Sequence, residues 1–488
     1  MTDTTSRPAG PHWEPPVTAS GAPVSNRRVW ASLAVLLVGL FMSLLDTTIV
    51  NVALPTIRDS INANEATLAW IISGYALAFG LVLIPAGRVG DRIGHKWVFF
   101  AGLALFTGAS LYAGLADDST HLVIARVLQG LGGGIFFPAV TAFIQVLFPP
   151  MKRGKAFAVL GAVLGVSSAL GPVVGGLLIE AFGEEHGWRY IFFVNLPIGV
   201  LGLVAAAIVL PALAAGKKTS VDLVGLVLLA GSLVAILVPL IQGQDEGWPA
   251  WTFVSLIGGV VLLVAFAFWE KRLEARGISP LVPPHLFSHA AFTGGTILAL
   301  VYFAAFTSIF FTIALLWQAG LGHTALESGL VTIPFAIANI VSSALSDRIA
   351  QKLGRGVLVL GAALMTTGLA SLWLIFMNVD GNDLTSWMLL PSLVIAGFGN
   401  GFFIAPNNRF IVATVDVSEA GAASGVIGTM QRIGSAIGIA VVSSVLFGML
   451  AQSGDFVSAA TVAMFVSASF ALVSLALVFT LPKRVSLH

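Results

Sequence analysis

Few residues in this chain could do chemistry, and they lie in unusual places. Within "GLFMSLLDTTIVNVALP", Gly39 to Pro55, a single carboxylate, Asp46, interrupts a long apolar run. Arg126, Arg409 and Arg432 are the other ionisable side chains set deep in apolar runs, whereas Glu180, Asp222 and Glu270 lie near run ends. Charge at mid-bilayer costs at least ~2.5 kcal/mol on insertion scales, so such groups usually face a partner or a cavity. Desolvation raises a carboxylate's pKa, and a nearby guanidinium lowers it. A carboxyl balanced between the two takes up and releases a proton as its surroundings change. Reversible proton binding is therefore the chemistry Asp46 offers. Arg126 stays charged, so it tunes or resets that carboxyl rather than carrying the proton. A static ion pair that fixes helix packing is the competing reading.

Other chemistries lack their residues. There is no cysteine, which excludes disulfides and thiolate metal sites, and the eight histidines include no HExxH-like pair. No GxxxxGK[ST] sequence occurs, so coupling to ATP has no local support. One deep acid and no deep histidine leave a membrane enzyme without a convergent catalytic set. A net charge of +1 suggests no nucleic-acid partner. No metal and no cofactor are expected.

The elements that must hold these residues follow from composition. Of 488 residues, 57% are hydrophobic and 10% charged, with a mean hydropathy of +0.96; ordinary soluble domains are roughly 25% charged. A spanning helix needs roughly 20 largely apolar residues, and such runs recur about fourteen times between residues 30 and 481. The fold expected is an all-α polytopic membrane protein. Residues 1–28 read as a disordered tail and 482–488 as a second, short one. The first apolar run lacks a small-residue cleavage site, so it reads as a retained helix rather than a signal peptide. Basic residues cluster in alternate loops: Arg27 and Arg28, then Arg88, Arg92 and Lys96, then Lys152, Arg153 and Lys155, and so on to Lys483 and Arg484. By the positive-inside rule both termini are cytoplasmic in a cell membrane.

The chain also repeats itself. Gly130, Gly132 and Gly134 in "QGLGGGIFF" map onto Gly397, Gly399 and Gly401 in "AGFGNGFFI" at an offset of about 267 by direct subtraction. The same offset maps Gly154, Gly161 and Gly171 onto Gly421, Gly428 and Gly438, and "DRIG" at Asp91 echoes "DRIA" at Asp347. Two related six-span bundles are expected, 29–213 and 291–481, with an inserted two-helix hairpin and its loops at 214–290. Parallel repeats with a site at their interface are a transporter architecture.

Five motifs in order, "LDTTIVNVALP", "GRVGDRIGHK", "RVLQGLGGG", "LGPVVGG" and "WRYIFFVNLPIG", resemble the major facilitator superfamily, and its fourteen-span drug/proton antiporter family in particular. The resemblance covers residues 29 to 481. It implies a secondary transporter that exports drug-like or natural-product-like amphiphiles in exchange for protons by alternating access, powered by the proton gradient. A lipid or metabolite exporter, or an importer, on the same fold is the alternative. Asp46 and Arg126 occupy the family's proton-coupling positions. The resemblance also implies a cytoplasmic gate at Gly87, Asp91, Arg92, Gly94 and Lys96, with Asp91 near the start of span 3 as a latch between the halves. His95 and Val89 replace the usual basic residue and leucine there. Gly171, Pro172, Gly175 and Gly176 form the antiporter-motif helix, whose family consists largely of exporters. Gln129, Phe303, Phe306, Phe310, Asn339, Asn400, Phe403 and Arg432 are the candidate lining of a substrate cavity, and the partners expected are a small amphipathic substrate, the proton and the lipid bilayer. With no acid found deep in the second half, the substrate expected is neutral or singly charged, handled by a monomer. Arg409 reads as structural.

Overall fold

A computed structural model describes residues 23–63, 65–183, 185–212, 222–243, 246–278, 280–413, 415–416 and 419–482. Most of the two expected tails therefore lies outside the described residues. Every long element is a helix. In chain order these are α1 (Asn26–Ile61), α2 (Glu65–Ile93), α3 (His95–Gly114), α4 (Ser119–Leu147), α5 (Pro150–Phe182), α6 (Gly187–Phe193), α7 (Asn195–Val209), α8 (Leu223–Gln242) and α9 (Ala250–Ala275). The second part of the chain adds α10 (Ala290–Leu315), α11 (Ala325–Val331), α12 (Ile333–Leu353), α13 (Gly356–Asn378), α14 (Ser386–Val412), α15 (Ala420–Ser453) and α16 (Phe456–Val478).

Local chemistry sets the ends and breaks. Ser25, Asp118, Asp222 and Asp455 cap helix N-termini with side-chain oxygens, satisfying amides that the first turn leaves free. Gly94 takes φ +97° between α2 and α3, a turn that a side chain would strain. The sixth membrane segment is broken at Val194, just before Asn195 and Pro197, and the segment made of α11 and α12 is broken at Thr332, just before Pro334. Proline lacks an amide and clashes with the preceding turn, so both breaks have a local cause.

Among the described residues, 13 helical segments are long and apolar enough to cross a membrane, and α8 supplies a shorter apolar helix, Val224–Leu240. Leu201, Ile208, Val227, Val254 and Phe268 are exposed around the outside, as a lipid-facing surface requires.

The glycine repeat is built into the packing. A Cβ on Gly130 would strike the Tyr75 carbonyl, and one on Gly397 the Phe335 carbonyl; Gly132 lies on the Phe106 amide and Gly399 on the Met365 amide. Each glycine set thus lets a central helix, α4 or α14, touch two neighbours backbone to backbone. One bundle is built on α4 and the other on α14, and the α8–α9 pair packs beside α2 and α15, with Trp248 Nε1 donating to Ser444 Oγ at 2.9 Å. The end of the molecule that carries Arg88, Lys152 and Arg348 is called the basic face below.

Candidate functional site

Asp46 lies in the middle of α1, fully buried, and Arg126 reaches it from α4, where it is buried too. Arg126 Nη1 stands 2.5 Å from Asp46 Oδ2. The other carboxylate oxygen, Oδ1, accepts from Asn195 Nδ2 at 2.9 Å and Gln129 Nε2 at 3.3 Å. Gln129 also bonds Ser110 Oγ, at 2.8 Å, and accepts from Arg126 Nη1 at 2.9 Å. Arg126 Nε donates to the Ile71 carbonyl at 3.0 Å, and the guanidinium lies 4.3 Å from the Tyr75 ring centroid. Tyr75 is held in turn by Ser43. A buried charge pair is tolerable only when its remaining lone pairs and protons are satisfied, and here α1, α2, α3, α4 and α7 each contribute to that.

The two candidate coupling residues therefore touch. Gln129, expected in the substrate cavity, belongs to this network instead and is fully buried. Sequence reasoning missed Asn195, Ser110 and Tyr75. Asn195 had a signal: it is the polar residue of "FFVNLP", at the start of α7 next to the helix break. Ser110 and Tyr75 had none, because lone hydroxyls are common in apolar helices.

At the basic face, Asp91 differs from its expected placement. It sits on the last turns of α2, not at the start of the next helix, and its carboxylate grips the N-terminus of α15. Oδ1 accepts from the Gly421 amide at 3.0 Å and Oδ2 from the Ala422 amide at 3.2 Å, a favourable place for negative charge. Gly87 lies against the Gly421 carbonyl so closely that no Cβ fits. His95 Nε2 is 3.3 Å from Asp91, and Arg88, 3.9 Å away, holds the Pro280 carbonyl. Of the other gate candidates, Lys96 donates to the Ala207 carbonyl in its own bundle, Gly94 shapes the turn, and Arg92 is partly exposed beside them.

A second contact mirrors the first. Asp347, on the last turns of α12, pairs with Arg409 at 2.7 Å, and its Oδ1 fills the space where Gly154 of α5 would carry a Cβ. Arg409, read as structural, thus serves an ion pair, and Asp347, read as part of a loose echo, is buried.

On α5, Gly171 packs on Thr48 and Ile49, two and three residues from Asp46, while Pro172 and Gly176 face α11 through Gly329 and Leu326. Gly175 is buried in the same helix. Among the cavity candidates, Phe303, Phe306 and Phe310 form an edge-to-face ladder that ends on Phe335. Asn339, Asn400 and Phe403 are internal: Asn400 bonds Asn339 and Tyr302, Phe403 stacks on Tyr302, and Asn339 Nδ2 reaches the Gly161 carbonyl of the other bundle. A narrow cleft, with room for about one water molecule, lies between the bundles, lined by Phe137, Thr141, Leu164, Asn408, Ile427 and Gln431 among others, and none of the candidates is among its lining residues.

Two duplicated helix bundles, each presenting a carboxylate to the other, define a membrane carrier. Residues 36–439 match the Major Facilitator Superfamily family model, and the chain belongs to that superfamily. Its members are transporters rather than enzymes and generally need no cofactor. The chain is 36% identical over 437 residues to the "Probable actinorhodin transporter" of Streptomyces coelicolor, covering 89% of this chain and 75% of that one. It is 33% identical to the "Tetracenomycin C resistance and export protein" of Streptomyces glaucescens, over 93% of this chain and 81% of the other. Among solved structures, the proton:xylose symporter XylE shares the fold, with a TM-score of 0.66 and 14% identity over 93% of this chain and 95% of that one.

Proposed function

We propose that this protein exports natural-product-like or drug-like amphiphiles across the plasma membrane in exchange for protons, by alternate rocking of the bundles at 29–213 and 291–481. The carrying observation is the buried Asp46–Arg126 pair with neutral donors on its free oxygen. Protonating Asp46 removes one charge and leaves Arg126 to Gln129 Oε1, the Ile71 carbonyl and the Tyr75 ring. The geometry therefore holds the guanidinium in either state. Gly171 couples α1 beside Asp46 to α5, and the next face of α5 meets the second bundle, so a shift at the carboxyl has a route to the bundle interface. The relatives' names support export, the basic loops support cytoplasmic termini, and one chain supplies the whole pathway. The expected fourteenth span is assigned to α8, as half of the inserted hairpin 214–290.

One proton crossing 100 mV supplies ~2.3 kcal/mol, or roughly 50-fold accumulation. In inverted membrane vesicles with an imposed proton gradient, the wild type is expected to take up fluorescent amphiphiles and Asp46→Asn to lose that uptake while remaining inserted. Undiminished uptake in the mutant sinks Asp46 as the coupling carboxyl. No uptake of any amphiphile by the wild type moves the reading to a lipid or metabolite carrier.

A further inference from the structure

Arg432 stands apart from the other guanidiniums within the bundles. Arg126 is paired with Asp46, Arg409 with Asp347 and Arg88 with Asp91. Among the described residues no carboxylate pairs with Arg432 and no hydrogen bond fixes it; its contact is the Phe79 ring, 4.1 Å away at the centroid. Its depth follows from the helix it rides on. Gly421, Gly425 and Gly428 rest on α2 at Gly87, Ile84 and Leu83. Arg432 continues that line eleven residues from Gly421, roughly 16 Å along the helix, or about half of the ~30 Å hydrocarbon core. It is nonetheless partly accessible. An uncompensated, accessible cation at mid-membrane marks a ligand pathway by default.

The cleft between the bundles adjoins it. Phe137, which lines the cleft, has its ring 5.5 Å from that of Phe79, so an aromatic wall runs from the cleft to the guanidinium. The neighbouring Gln431 faces the cleft, as does Asn408, whose buried Oδ1 has no hydrogen-bond partner among the described residues. An orphaned polar atom in a largely apolar cleft is what an orienting group for a small molecule looks like before the molecule binds.

We propose that this cleft and Arg432 form the subsite for an amphiphilic organic acid. As the bundles part, its apolar body lies along Phe137, its carboxylate or phenolate oxygen sits on Arg432, and a hydrogen-bond donor at its other end meets Asn408. The assignment deepens the export reading and rests on it. Cations find no equivalent, because Asp46 is already covered by Arg126, Gln129 and Asn195. The charges also set a constraint on mechanism. An anion at Arg432 and a proton at Asp46 attract each other, so exchange is enforced by the positions of the bundles and not by rivalry for one charge.

The test uses three isosteric probes, anthracene-9-carboxylate, its neutral carboxamide and the cationic 9-aminomethylanthracene, titrated onto the full-length protein in lipid nanodiscs. The wild type is expected to prefer the acid. Hydrogen bonds to charged groups contribute about 1.5–3 kcal/mol, so the acid-over-amide preference should fall roughly 10- to 100-fold in Arg432→Gln and persist in Arg432→Lys. Amide binding reports that each variant is folded. A preference unchanged in Arg432→Gln, a wild type that favours the amide or amine, or no binding of the acid overturns the assignment. Gradient-driven uptake of the amide without acid preference would leave the exporter reading standing and remove this one. Arg432-dependent acid binding without gradient-driven movement would do the reverse.

Discussion

Asp91 in the first bundle and Asp347 in the second occupy matching ends of α2 and α12, and each meets a glycine near the start of a helix in the opposite bundle. Asp91 takes the Gly421 and Ala422 amides, while Asp347 packs on Gly154 and pairs with Arg409. Deeper in the bundles the likeness ends. On α4, Arg126 and Gln129 surround the Asp46 carboxylate; on α14, Asn400 bonds Asn339 and Tyr302 in a network with no ionised group. Contacts across the basic face are thus made from both bundles, and among the described residues the fully buried carboxylate–guanidinium pair sits in one alone. A duplicated scaffold can hold both bundles to one packing plan while giving the fully buried carboxylate–guanidinium pair to only one.

The largest test of that contrast sets Asp46→Asn against Asn400→Ala. The first should abolish the roughly 50-fold accumulation that one proton across 100 mV supports. The second removes neutral hydrogen bonds, each about 1 kcal/mol net, and should lower stability while leaving gradient-driven accumulation in vesicles intact. Equal loss in both would break the comparison.

Stability sharpens it next. Arg126→Ala leaves a fully buried carboxylate without its counter-charge and should cost about 3–5 kcal/mol, read by unfolding in detergent. The double variant Asp46→Asn/Arg126→Ala should recover part of that loss. Arg409→Ala should cost less, since Asp347 keeps the Gln351 amide on its other oxygen at 3.1 Å. Comparable costs would place the two ion pairs in the same environment.

The latches themselves are probed by Gly421→Ala and Gly154→Ala, each of which drives a Cβ into the opposing carboxylate. Overpacking costs typically about 1–3 kcal/mol, enough to shift the closed population roughly 5- to 150-fold. The chain has no cysteine, so Ser424→Cys, at the cleft, supplies a single reporter for an impermeant maleimide applied from the basic face. Faster labelling in both variants supports two equivalent latches. A response in only one assigns closure to that bundle.

Much of this was legible in the sequence, for physical reasons. Apolar runs of membrane-spanning length have few folds open to them, and glycines at one offset marked the paired helices before any contact was known. Asp46 and Arg126 stood out because charge inside such runs is rare. What stayed hidden depended on partners. Gln129 looked like cavity lining because spacing does not say which face of α4 turns to Asp46, and Arg409, read as structural, had no visible partner because Asp347 lies 62 residues away. Asn339 and Asn400 read as lining for a similar reason: a polar side chain on an apolar helix signals a partner without saying whether it is a ligand or another asparagine. α8 starts only at Leu223 because Asp222, in an extended conformation, caps its N-terminus by accepting from the Gly225 amide.

The smallest expected effect concerns the linker after α9, which is tied to the two bundles by different chemistry. Toward the first bundle, the Pro280 carbonyl accepts from Arg88, a contact that no ordinary pH alters. Toward the second, His285 places Nε2 3.0 Å from Glu419, just ahead of α15, and Nδ1 3.0 Å from Glu274 of α9. Partial burial pulls the imidazole's pKa down, but the Glu274 and Glu419 carboxylates outweigh it and hold the pKa above its usual 6.5. A pKa raised in the folded state adds stability that is complete below 6.5 and is lost as pH climbs through the folded value. His285 is half exposed, so solvent screening keeps the effect well under about 1 kcal/mol. Hydrogen exchange of amides 284–290, corrected for intrinsic rates, should quicken between pH 6 and 8 in the wild type, while His285→Gln should show no such pH dependence. Exchange near Pro280 should be insensitive to both. If the Pro280 end loosens together with the His285 end, the linker is a single clasp, and the difference between its two attachments has no functional meaning.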